Sequence, residues 1–245
     1  MALREDFERT GTWLFRYRSW LPPLLLIPLI LAAPPLEPGQ RPGLRFPATT
    51  AGFALAALGL VVRALVIGHA PRGASGKNRA LQVADSLSTT GLYSVCRHPL
   101  YFGNLLLWLG PAVAVGRWWA PVLVTAAWAL FYRRIIFVEE RFLASEFGNR
   151  WRAWAARTPA LIPRPGRWQR ADLSFSPRTV LRQEYYALVS TVTMFVITEA
   201  GTVFRQTGRP GLDRGWLALF GATIAVGAVL RTLQRHSRML DVEGR

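Results

Sequence analysis

The chain has 245 residues, 51% of them hydrophobic, and carries 30 Lys+Arg against 14 Asp+Glu, a formal charge of +16. Several apolar runs reach bilayer-spanning length, so composition points to an integral membrane protein. The basic residues alternate with those runs, which fits membrane topology better than a nucleic-acid surface. Cys96 is the only cysteine, so neither an intrachain disulfide nor a cysteine metal cluster can form. The three histidines (His69, His98, His236) show no metal-ligand spacing, and no metal is expected.

Residues 1–19 are polar and mixed in charge, with Arg4, Arg9, Arg16 and Arg18. A first span runs roughly from Trp20 to Ala33, broken by Pro22, Pro23 and Pro28. Pro34 and Pro35 fit a signal cleavage site poorly, so the span reads as a retained anchor. A Pro- and Gly-rich loop, 34–47, leads to a second span from about Ala48 to His69. Arg63 lies inside it. The bland reading of Arg63 is a snorkelling side chain; the sharper one is contact with an anionic headgroup.

Residues 70–98 form a loop, with a short amphipathic helix possible near 80–88. A third span runs from Pro99 to near Gly116, and Arg117-Trp118-Trp119 reads as a tight interfacial turn. A fourth starts near Ala120 and stays helical past the bilayer through Glu140 to about Phe147, with Gly148 as a stop. Residues 149–182 are Arg-rich and proline-broken, an ordered cap followed by a connector. Spans five and six cover roughly Glu184 to Phe204 and Trp216 to Arg231. Glu199, near the outer end of span five, reads as a satisfied interfacial residue.

The expected fold is therefore all-α: a polytopic helical bundle of about six transmembrane helices with a cytoplasmic cap after the fourth. Three segments are expected: membrane helices and loop at 1–90, a core at 91–165, and a helical hairpin at 166–245. With both termini in the cytoplasm, 23 of the 30 basic residues fall inside, six fall outside, and Arg63 lies within span two. That bias fits the inner membrane of a bacterium.

The stretch Gly91 to Gly103 organises the rest. Pro99 suits the first turn of a helix, having no N–H to leave unpaired. His98, before it, is pushed toward an extended conformation. Arg97, His98 and Tyr101 thus crowd a helix N-terminus whose open N–H groups favour anions. Gly103 offers bare backbone one turn further in. A short turn joins spans three and four, so they pack as an antiparallel hairpin. Glu139 and Glu140 then lie level with Arg97, His98 and Tyr101. Arg133 precedes Glu140 by seven residues on the same face, deeper toward lipid. Trp151 and Trp154 share one face of the cap.

Arg97-His98-Pro99-x-Tyr101-x-Gly103, preceded by Gly91-x-Tyr93, resembles the signature of the isoprenylcysteine carboxyl methyltransferase and phospholipid methyltransferase superfamily. A second block, Glu139-Glu140, Phe147-Gly148, Trp151, Trp154 and Pro159-x-x-Ile162-Pro163, is similar to its second signature. Tyrosines usually stand in that family where Trp151 and Trp154 stand here. The resemblance implies an S-adenosylmethionine-dependent methyltransferase acting on a lipid or lipid-linked acceptor. Cofactor binding is expected at Tyr93, Arg97, His98, Pro99, Tyr101, Gly103, Glu139 and Glu140. Arg133, Arg134 and Glu140 are the catalytic candidates, and Arg63, Arg133, Trp151 and Trp154 the acceptor candidates. The plainer alternatives are an ion pair of Glu139 or Glu140 with Arg97 or Arg134, capping by His98 and Tyr101, and tryptophan packing against the membrane. Rival functions are a sterol-reductase-like enzyme using a nicotinamide cofactor and a non-catalytic lipid-binding protein.

Overall fold

The computed structural model describes residues 2–18, 22–44, 46–71 and 86–244. Most of the helix expected near 80–88, with Lys77 and Arg79, lies outside the described residues. Among those described are seven α-helices, and an isolated bridge pairs Gly91 with Gln169. Four helices are long and apolar enough to cross a membrane: α3 (Phe46–Gly68), α5 (Trp119–Ala155), α6 (Pro177–Thr207) and α7 (Arg214–His236). The other two expected spans are shorter apolar helices, Pro23–Ala32 and Pro99–Ala114.

The first span departs most from expectation. It holds a 3-10 turn and a seven-residue helix, α2 (Leu26–Ala32). Ten helical residues reach about 15 Å, half the ~30 Å hydrocarbon core. Before it, the polar N-terminal stretch forms an unexpected helix, α1 (Ala2–Tyr17). Phe7, Gly11, Leu14 and Phe15 recur at helical spacing and form its inner face, while Arg9, Trp13 and Arg16 face out. α1 lies along α5: Phe7 meets Phe137 edge-on at 5.7 Å, Gly11 abuts the Arg134 carbonyl, and Glu8 pairs with Arg141.

The tightest contact joins α3 to α4 (Pro99–Ala114). Gly52, Ala56 and Gly59 recur on one face of α3 and meet Gly103, Gly110 and Ala114. A Cβ on Gly59 would stand 2.8 Å from the Gly103 carbonyl oxygen. Lipid tails are as apolar as leucine, so close backbone approach rather than hydrophobicity holds such a pair. Gly116, in the left-handed region at φ 73°, ends the turn after α4. α5 follows, from Trp119 to Ala155, in two helical runs. The first stops at Gly148, as expected, where φ 52° and ψ −122° break the helix; the second, past the kink, carries Trp151 and Trp154.

The chain after α5 straps back over the stretch preceding α4. Arg97 and His98 donate their amides to the Pro159 and Ala160 carbonyls at 2.8 and 3.0 Å, and Arg164 to Val95 at 3.0 Å. α6 is capped by Ser176, α7 by Asp213. α6 packs on α2, α3 and α4. Near its end Glu199 accepts from the Leu44 amide at 2.6 Å, and Gln206 and Arg205 reach the Pro34 and Ala33 carbonyls. Glu199 is thus satisfied, and the Pro- and Gly-rich loop is pinned.

Gly52→Val would drive a branched side chain into the Gly110 backbone. It is expected to cost about 1–3 kcal/mol, read as a lower Tm of the detergent-purified protein. A Tm equal to wild type would mean that the α3–α4 contact is looser than described.

Candidate active site

The site forms where α4 begins and α5 leaves the apolar layer. Gly91, at φ 60°, opens a 3-10 turn, Leu92–Ser94, that presents Tyr93. His98 is the N-cap of α4, held at φ −124°, ψ 60° by the proline that follows. Pro99 occupies the first turn, and Tyr101 stacks on the His98 ring at 5.5 Å.

Two carboxylates from α5 meet this turn. Tyr101 donates to Glu139 Oε2 at 2.7 Å. The His98 ring lies between both acids, Nε2 at 3.0 Å from Glu140 Oε1 and Nδ1 at 3.5 Å from Glu139 Oε2. Arg97 Nε donates to Glu140 Oε1 at 2.8 Å, while its Nη1 donates to the Ala155 and Thr158 carbonyls at 2.8 and 2.7 Å. Arg97 therefore ties both acids' helix to the strap. Of the two ion-pair partners the sequence offered Glu140, Arg97 is the one used. Arg134 turns back to the Leu130 carbonyl.

Burial works against a charged His98, but hydrogen bonds and charge from Glu139 and Glu140 outweigh it, so its pKa stands above the ordinary value. Burial, with Glu139 nearby, holds the Tyr93 phenol protonated. Cys96 is buried and directed at the Ala160 and Leu161 carbonyls, and burial pushes its thiol up to about 11. This is a packed thiol rather than a nucleophile.

The remaining candidates divide. The helix N-terminus is largely taken up: the Tyr101 amide bonds the His98 carbonyl, and those of Arg97 and His98 bond the strap. The bare face of Gly103 is covered by the stem of Arg63, where an added Cβ would sit 2.7 Å away, so this glycine serves helix packing. Arg133 is exposed and, like Arg134, lies over the Phe7 ring of α1, at 5.3 and 5.1 Å. Neither arginine joins the acids. Trp154 is buried and donates Nε1 to the Tyr93 carbonyl at 3.2 Å, bracing the turn. Trp151 is half-buried. A cavity of about 320 Å³ opens beside Trp154, lined also by Ser94, Arg157, Thr158, Arg167 and Trp168.

Arg63 does not snorkel. It forms a bidentate pair with Glu184 of α6 at 2.7 and 3.0 Å and donates to Asn104 at 2.6 Å. Asn104 donates to the Tyr132 hydroxyl at 2.7 Å, and the Tyr132 ring lies 4.5 Å from Tyr101. Asn104, Tyr132 and Glu184 escaped the sequence reading. Their signal was weak: isolated polar groups in apolar helices, with Tyr132 and Glu139 seven apart on one face. Arg18, at the end of α1, lies over Phe15 at 4.0 Å.

The raised pKa of His98 carries a pH signature. Its folded value exceeds 6.5, so its stabilisation is complete below about pH 6.5 and drains away as pH rises through the folded value. Thermal unfolding from about pH 5 to 9 should show wild-type Tm falling over that upper window and His98→Gln lacking the fall. Parallel profiles would mean that the imidazolium is not stabilised by the two acids.

Residues 48–150 match the phospholipid methyltransferase family. The cobalt-zinc-cadmium resistance protein CzcN of Cupriavidus metallidurans is 44% identical over 80 residues, 33% of this chain and 37% of that protein. Methanethiol S-methyltransferase 2 of Bradyrhizobium diazoefficiens is 36% identical over 97 residues, 39% of this chain and 36% of that enzyme. The protein-S-isoprenylcysteine O-methyltransferase of Schizosaccharomyces pombe is 31% identical over 77 residues, 31% of this chain and 33% of that enzyme. The matches thus span about a third of the length of these curated relatives. No solved structure matches the chain. The matched segment runs from near the start of α3 to just past the Gly148 bend; it contains the first motif block and, of the second, Glu139, Glu140, Phe147 and Gly148.

Proposed function

We propose that the protein is a membrane methyltransferase that uses S-adenosylmethionine to methylate a lipid or lipid-linked acceptor. The observation that carries this reading is the convergence of Arg97, His98, Tyr101, Glu139 and Glu140 on one end of the α4–α5 pair. The residues fit such a donor by their chemistry. Glu139 and Glu140 can accept from an ammonium group or a ribose diol. The Tyr93 and Tyr101 rings suit adenine or a sulfonium. Pro99 and Gly103 act indirectly, by shaping and seating the helix that carries Tyr101.

The donor, when bound, supplies an electrophilic methyl group. Displacement at such a carbon needs alignment and water exclusion more than covalent help. His98 contributes by holding both acids at fixed separation, and Arg97 by locking Glu140 to the strap. A carboxylate or phosphate acceptor is already anionic and needs no general base. The family match and the apolar helices support an acceptor that approaches through the bilayer, with the donor reaching the site from the cytoplasm, where we place both termini. The inner membrane of a bacterium is the compartment this reading implies.

Calorimetric titration of the detergent-purified protein with S-adenosylmethionine tests the proposal. Saturable binding is expected, weakened at least tenfold, about 1.4 kcal/mol, in Glu140→Gln. No binding, together with tight binding of a nicotinamide dinucleotide, would replace it with the reductase reading. Arg133→Ala is expected to leave donor affinity unchanged, because its guanidinium lies on the α1 side.

A further inference from the structure

The aromatic cluster below the two acids contains polar groups that the fold does not use up. Tyr132 is 2% exposed and Trp128, one turn away on the same face of α5, is 4% exposed. Their rings lie 5.1 Å apart. Trp108 of α4 and Phe131 close around Tyr132 at 5.7 and 5.1 Å. Trp128 Nε1 is buried with no hydrogen-bond partner among the described residues. The Tyr132 hydroxyl accepts from Asn104, and its own O–H has no acceptor among the described residues. An unmet buried donor at apolar depth is costly. Two of them, on neighbouring rings, call for an acceptor that arrives from elsewhere.

The Tyr132 hydroxyl is also held from behind. Glu184 grips Arg63 through both oxygens, Arg63 donates to Asn104 Oδ1, and this leaves Asn104 Nδ2 to donate to Tyr132. With its oxygen occupied as an acceptor, the phenol is oriented and polarised to donate. Tyr132 precedes Glu139 by seven residues, about 10 Å along the same face.

We propose that Tyr132 and Trp128 form the seat of the methyl acceptor's anionic headgroup, a carboxylate or phosphate oxygen, with Asn104, Arg63 and Glu184 as positioning residues. This rests on the methyltransferase reading and names its acceptor class. The alkyl chain lies among the helices, and the headgroup stands below the groups assigned to the donor. The hairpin of α6 and α7 lies beyond the family match, yet it belongs to the working site through Glu184.

The test is calorimetry in detergent with four probes of equal chain length: dodecanoate, dodecyl phosphate, dodecanol and dodecylamine. Wild type should bind dodecanoate or dodecyl phosphate at least tenfold more tightly than dodecanol or dodecylamine; the preferred anion identifies the headgroup. Tyr132→Phe, which removes one oxygen, should erase most of that preference while S-adenosylmethionine affinity stays within about twofold. Trp128→Phe should weaken the same anion less, and Asn104→Leu should act like Tyr132→Phe. An unchanged preference in Tyr132→Phe, or no anion preference in wild type, overturns the seat. Tyr132-dependent anion binding without S-adenosylmethionine binding would keep the seat and overturn the methyltransferase reading.

Discussion

The structure depends on a knot of opposite charges tied between the start of α4 and the body of α5. His98 lies between Glu139 and Glu140, and Arg97 binds Glu140 from the other side. Two acids side by side in a half-buried stretch of helix would repel each other and lose hydration. Here each is neutralised and hydrogen-bonded on the spot, the condition under which buried charge is tolerated. The same arginine reaches two carbonyls of the strap, so the knot also fixes the polypeptide that follows α5. Remove it and the start of α4, the body of α5 and the strap lose their common anchor.

Everything nearer the bilayer centre adjusts to keep that knot in register. The close α3–α4 contact sets the depth of Pro99, because glycines on both helices leave no slack for sliding. The same contact lets Arg63 pass over Gly103 and reach Asn104 and Glu184. An arginine inside an apolar helix is expensive, and the bidentate carboxylate answers that cost. The partner comes from a helix outside the segment that matches the family, so the hairpin satisfies a charge that the core alone leaves exposed to lipid.

The helix N-terminus shows how one site can be read two ways. From sequence, the stretch before Pro99 offers open amides to an anion. In three dimensions the returning strap takes the Arg97 and His98 amides, and the His98 carbonyl takes those of Tyr101 and Phe102. What faces the site is instead side-chain chemistry: two acids, a phenol and an imidazole. The site is thereby built to receive cations and hydroxyls on its Glu139 side, with hydrogen-bond donors deeper among the aromatic rings.

The linear chain determined the apolar periodicity of the long helices, the proline start of α4, and the pairing of Arg97, His98 and Tyr101 with Glu139 and Glu140. Each follows from local rules: a proline fixes a first turn, and two helices joined by a short turn must run back along each other. It also pointed to Glu199 as satisfied and to the turn at Arg117. Tertiary structure alone decided the rest. α1 carries too few apolar residues to announce itself, and it becomes legible only as a stripe against α5. Arg133 shares a turn with Tyr132, yet the rotation of α5 sends one to the surface and the other to the core, an angle that packing sets and spacing cannot. Glu184 finds Arg63 across 121 positions, because contacts at that range come from how helices pack, not from any period along the chain.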